Sequence, residues 1–89
     1  MAKQTDIRCS VLTPEHQVLD AAATAVVIPA HDGLIGILKN RAPLVCAIGK
    51  GQLRVDSTDG SQKRLRIEGG FARVRDNDVT ILTEKATPV

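Results

Sequence analysis

The sequence predicts an all-β fold: a two-sheet antiparallel β-sandwich, or flattened barrel, of about nine or ten short strands. Three observations predict it. Turn residues punctuate the 89-residue chain at intervals that leave only strand-length segments between them. The apolar residues are mostly valine, isoleucine, leucine and alanine, with one phenylalanine and no tyrosine or tryptophan, and β-branched side chains favour strands. No amphipathic helical pattern is sustained over about ten residues. The length holds one small domain, residues 1–89, without repeat, low-complexity stretch or linker.

The segments follow in order. Ile7, Cys9 and Val11 share one face of a first strand, which Thr13-Pro14-Glu15 interrupts. Gln17 to Asp20 is a short second strand, and Ala22 to Ala30, apolar at nearly every position, is a third covered on both faces. Val26-Val27-Ile28-Pro29 argues against a helix there. His31-Asp32-Gly33 is a tight turn of the kind that needs positive φ. Leu34 to Leu38 is the next strand, in which Gly36 suggests a bulge or a close backbone approach. Lys39 to Pro43 is a loop, Leu44 to Ile48 a strand, and Gly49-Lys50-Gly51 closes it.

The second half alternates more cleanly. Leu53 and Val55 point opposite to Gln52, Arg54 and Asp56, and Ser57 to Ser61 is a hairpin loop. Leu65 and Ile67 point inward between charged residues. Gly69-Gly70 bends the chain into Phe71 to Arg75, and Arg75-Asp76-Asn77-Asp78 turns into a last strand, Val79 to Leu82.

Charge and chemistry narrow the function. Twelve basic and ten acidic residues give a net charge of +2 with the signs interspersed, too weak for nucleic acid or an anionic membrane. A lone Phe71 gives no stacking platform for single strands. Cys9 and Cys46 follow no export signal, and both read as reduced structural cysteines of a cytosolic chain. The two histidines, His16 and His31, sit in loops with no nucleophile spacing around them. No CxxC, HxxxH or calcium-loop spacing occurs, and Gly49-Lys50-Gly51 lacks the phosphate-loop pattern. The expectation is no catalytic residue, no metal and no cofactor. Arg54, Arg64, Arg66, Arg73 and Arg75 lie on candidate neighbouring strands, as a solvated sheet face or a dock for an acidic surface.

Three segments in register resemble one family. Val11-Leu12-Thr13-Pro14-Glu15 before Val18-Leu19, then Asp32 to Leu44 (DGLIGILKNRAPL), then Glu68 to Val74 followed by Asn77 to Leu82, are similar to the N-terminal domain of the F-type ATP synthase epsilon subunit, called delta in mitochondria. The resemblance covers nearly the whole chain. It implies a non-catalytic central-stalk subunit at the cytoplasmic face of a bacterial inner membrane, docking the gamma subunit onto the polar loops of the c-ring and helping to couple ion-driven rotation to ATP synthesis or hydrolysis.

By the same resemblance, His31, Asp32, Gly33 and Leu34 are candidates for the c-ring side. Ser10, Arg41, Ala42, Pro43, Leu44, Val45 and Cys46 are candidates for the gamma side, with Gly36, Gly69 and Gly70 structural. The family usually has proline where Lys39 stands and histidine where Arg41 stands. Most bacterial members continue into two C-terminal helices, whereas this sequence runs to Val89, so the expectation is a coupling subunit without the helical brake. The competing reading is a non-rotary β-sandwich that binds a ligand or acts as a scaffold.

Overall fold

The computed structural model describes residues 6–89. Nine strands make up the described chain: β1 (Ile7–Leu12), β2 (Gln17–Ala30), β3 (Gly33–Ile37), β4 (Leu44–Ala47), β5 (Lys50–Ser57), β6 (Gln62–Glu68), β7 (Phe71–Arg75), β8 (Asp78–Leu82) and β9 (Lys85–Pro88). They run in the order β4-β7-β8-β1-β2-β5-β6-β9, with β3 paired to β2.

Two sequence expectations merge in β2. Gln17–Asp20 and Ala22–Ala30 form one strand of 14 residues. Its first part pairs with β1 (Cys9 opposite Ala21), and its second part pairs with β3 on one side and β5 on the other. The strand therefore belongs to both layers. The switch is made by a shift of register against β5 between Ala23 and Ala25. Ala23, Val26 and Ile28 are all buried, so the inward parity changes across Thr24-Ala25, as an extra residue in a strand requires. The expected cover on both faces does not hold: Ala22 and Thr24 are exposed.

β1 and β8 run parallel, Cys9 opposite Val79, while the other pairings are antiparallel. The chain between these two strands passes through the other layer, so no hairpin dictates their direction. The strand count agrees with expectation through two offsetting differences. β2 fuses two expected strands, and Lys85–Pro88, expected only as a tail, pairs with β6 as β9.

The core is aliphatic. Ile7, Cys9, Val11, Val74, Val79 and Ile81 of one layer meet Val26, Ile28, Ile37, Leu53, Val55, Leu65 and Ile67 of the other in a single buried cluster. Each buried branched side chain contributes about 1.5–3 kcal/mol. Phe71, the one aromatic residue, lies outside this core, 59% exposed.

Glycine is demanded at one corner above all. Gly70, between β6 and β7, has φ +105°, and a Cβ there would sit 1.9 Å from the Leu82 carbonyl oxygen. Gly69 beside it has φ +70°. Both lie at the bend between β6 and β7. Gly36 does not show the expected close approach: a Cβ there would meet nothing within 4 Å, because the residue faces outward opposite Val27.

Candidate docking surface

Strand pleating sorts the candidate residues. On β4, Leu44 and Cys46 turn partly into the core while Val45 and Ala47 are exposed. On β7, Phe71, Arg73 and Arg75 face out and Ala72 and Val74 are buried. The ladders then align two rows across the outer face of the β4-β7-β8-β1 layer. One row is Val45, Arg73, Thr80 and Ser10. The other is Ala47, Phe71, Leu82 and Leu12.

Ser10 and Val45 are thus brought onto one face, with β7 and β8 between them. Leu44 and Cys46 are not on it. Arg41, Ala42 and Pro43 are exposed in the loop that leads into β4.

The second row is apolar from end to end. Phe71 and Leu82 in it are 59% and 51% exposed, and Val45, in the neighbouring row, is 66% exposed. With Pro14 the lower part of the row lines a depression of about 350 Å³. Phe71, Leu82 and Leu12 were absent from the residues expected by resemblance, although the signal existed. In Phe71-Ala72-Arg73-Val74-Arg75 the aromatic ring shares parity with two arginines, and that parity puts it in solvent.

The β2–β3 hairpin carries the other candidate group. His31, Asp32 and Gly33 form its turn, with Gly33 at φ +134°, and Leu34 next to it is 73% exposed. The His31 amide donates to the Ala47 carbonyl at 2.9 Å, and Ala30 bridges to Ile48. These contacts hold the hairpin against the end of β4. A depression of about 430 Å³ lies between, lined by Leu34 and Ile35 on one side and Val45 and Ala47 on the other. The two candidate groups therefore adjoin.

Polar chemistry at these surfaces is sparse. His31 Nδ1 is 3.4 Å from the Asp32 carboxylate, both fully in solvent. His16 is an exposed turn residue whose amide and carbonyl meet the Thr13 hydroxyl. Among the described residues no three His, Cys, Asp or Glu side chains gather as a metal site would need. Asp59 is held below the usual carboxylate range by the Ser61 hydroxyl and amide, which is hairpin-loop chemistry rather than a site.

The cysteines are both free, and burial pushes the Cys9 thiol up to about 12. Cys9 on β1 and Cys46 on β4 are three strand steps apart, about 14 Å, well beyond the ~7 Å that a disulfide spans.

These features define a small β-sandwich with exposed apolar and backbone-shaped surfaces. Over residues 6–89 the chain matches the family model described as the ATP synthase Delta/Epsilon chain beta-sandwich domain. The chain belongs to that family. It is 43% identical over 83 residues to the ATP synthase epsilon chain of Rhodopirellula baltica, covering 93% of this chain and 64% of that one. With the ATP synthase epsilon chain of Symbiobacterium thermophilum it shares 46% over 82 residues, 91% of this chain and 58% of that one. A chain in the Euglena gracilis mitochondrial ATP synthase structure of OSCP, F1 and c-ring superposes with a TM-score of 0.89 at 27% identity, over 99% of this chain and 56% of the other. The chain thus spans about three-fifths of the length of these relatives.

Proposed function

We propose that this sandwich is a non-catalytic part of the central stalk of a rotary F-type ATP synthase. In this reading the outer face of the β4-β7-β8-β1 layer seats on the gamma subunit, and the His31–Leu34 tip reaches the polar loops of the c-ring. The domain then fixes shaft to ring, so that ion-driven rotation reaches the catalytic head. It is peripheral to the membrane, at the cytoplasmic face in a bacterium, held there through the ring.

The carrying observation is the Ala47-Phe71-Leu82-Leu12 row. A domain with a complete aliphatic core still leaves its one aromatic ring and Leu82 side by side in solvent, with the exposed Val45 in the adjacent row. Contiguous exposed apolar residues of this kind mark a protein contact. Membership of a family whose relatives are ATP synthase epsilon chains supports this choice of assembly.

The test is reconstitution of the labelled chain with gamma alone and with gamma plus c-ring. Phe71→Asp lowers affinity for gamma about thirtyfold or more, as loss of a buried aromatic anchor does. Leu34→Asp leaves gamma binding intact and weakens retention on the ring. Wild-type behaviour of both variants, or no affinity for gamma at all, would return the chain to the non-rotary scaffold reading.

A further inference from the structure

Charged residues alternate with apolar ones through the second half of the sequence, and the pleat gathers them on one side. On β5 the outward residues are Lys50, Gln52, Arg54 and Asp56, with Leu53 and Val55 buried beneath. Outward on β6 are Gln62, Arg64, Arg66 and Glu68, and on β9 Lys85 and Thr87. Five cations face two carboxylates there, an excess of three on one patch of a chain whose whole net charge is +2. Signs interspersed in sequence are segregated in space. The expected single face of five arginines is at the same time divided, because β7, carrying Arg73 and Arg75, stands in the other arm of the sheet.

At one end Glu68 stands opposite both Lys50 and Lys85, but the middle of the face carries a like-charge pair. Arg54 and Arg64 are directly opposite in the β5–β6 ladder, and Arg66 is opposite Gln52, one pleat further along. Like charges at such positions destabilise a sheet. A small network fixes them. Arg54 lies 3.3 Å from the Asp56 carboxylate, Gln62 donates to Asp56 at 3.1 Å, and Gln62 Oε1 accepts from Arg64 Nε and Nη2 at 3.0 and 2.6 Å. Arg66, Lys50 and Lys85 have no ion-pair partner among the described residues.

We propose that the outer face of β5-β6-β9 is a second docking surface, whose occupant is an acidic segment of a partner polypeptide. Charge complementarity argues for the acid. The positioned guanidinium forks suit the two oxygens of carboxylates, which they bind side by side. A bilayer fits less well. Around the cations the face offers Gln52, Gln62 and Thr87 rather than aromatic or long apolar side chains that would enter lipid. This surface is separate from the Phe71 row and does not rest on the rotor reading.

The experiment uses the full chain, a fluorescein-labelled octaglutamate peptide and, in parallel, vesicles of phosphatidylcholine with phosphatidylglycerol. Saturable peptide binding that weakens with added salt is expected. The double variant Arg64→Gln/Arg66→Gln loses about tenfold or more of it, while Arg73→Gln on the other layer keeps wild-type affinity. Far-ultraviolet circular dichroism checks folding, and relief of the Arg54–Arg64 repulsion leaves the double variant at least as heat-stable as wild type. Absence of saturable binding, equal loss in Arg73→Gln, or tighter binding to the vesicles than to the peptide would overturn the proposal.

Discussion

Asn40 and Asn77 occupy left-handed backbone in two different loops, at φ 66° and 63°, and hydrogen-bond to each other. The Asn40 amide donates to Asn77 Oδ1, and Asn77 Nδ2 donates back to Asn40 Oδ1 at 3.5 Å. Asparagine tolerates this conformation where a β-carbon on most residues strains it. The pair ties the β3–β4 loop, which delivers Val45, to the β7–β8 turn. Asn77→Ala loses both conformational tolerance and clip, an expected cost of about 2–3 kcal/mol in urea unfolding. Asn77→Gly keeps the tolerance and loses only the clip, about 1 kcal/mol. Equal costs for the two variants would show that backbone conformation contributes nothing.

Two glycines in the sequence make opposite predictions. A methyl group at Gly70 collides with the Leu82 carbonyl in a backbone conformation already unfavourable to alanine. Gly70→Ala is therefore expected to destabilise by more than about 4 kcal/mol, with aggregation on expression as the accompanying readout. Gly36→Ala enters open space within a strand and is expected to be neutral or stabilising by about 0.5–1 kcal/mol. Thermal midpoints of the two variants, measured side by side, decide the matter.

Those glycines also mark where the sequence was readable. Alternation located β5, β6, β7 and β8 because each is half-covered, and the period of two then reports burial directly. It failed in β2, where a register shift breaks the period and an alanine run hides which side is buried. It failed at β9, whose Ala86 alone packs on the core, leaving almost no pattern to read. Of the candidate docking residues, Ser10 and Val45 were reached by resemblance, and their common face became visible only through the β4-β7-β8-β1 order. That order depends on a parallel β1–β8 pairing between the two ends of the chain, which no local signal encodes.

Burial of Cys9 makes alkaline stability a measurable quantity. Its thiol, raised from 9.0 to about 12 by desolvation first and then by Asp78 and Asp20, stays protonated in the fold. In the unfolded chain it ionises near 9.0. Folding is thus favoured fully below that pH, and the advantage falls as pH rises from about 9 toward about 12. The slope is about 1.4 kcal/mol per pH unit in that window. Urea midpoints of wild type and Cys9→Ala from neutral pH to pH ~10 should diverge in slope above pH ~9. Parallel slopes would contradict the buried neutral thiol. Ellman's reagent at mildly alkaline pH should modify half-buried Cys46 well before Cys9.

Two buried hydroxyls test whether partner contacts or burial alone governs their worth. Thr83 Oγ1 is within donating distance of the Glu68 carbonyl at 3.0 Å and the Lys85 carbonyl at 3.2 Å, where the chain leaves β8 for β9. Ser57 Oγ, at the end of β5, is also enclosed and has no hydrogen-bond partner among the described residues. Replacing Thr83 by valine keeps the shape and strips the single proton that the hydroxyl donates to one of these two carbonyls. The expected loss is about 1–2 kcal/mol, together with faster amide exchange at Ala86, as β9 loosens from β6. Ser57→Ala removes a polar atom that gains nothing from its surroundings, and a stabilisation of up to about 1–2 kcal/mol is expected. Urea unfolding of both variants reads the contrast, and a destabilised Ser57→Ala would reveal a hydroxyl contact that the fold geometry does not contain.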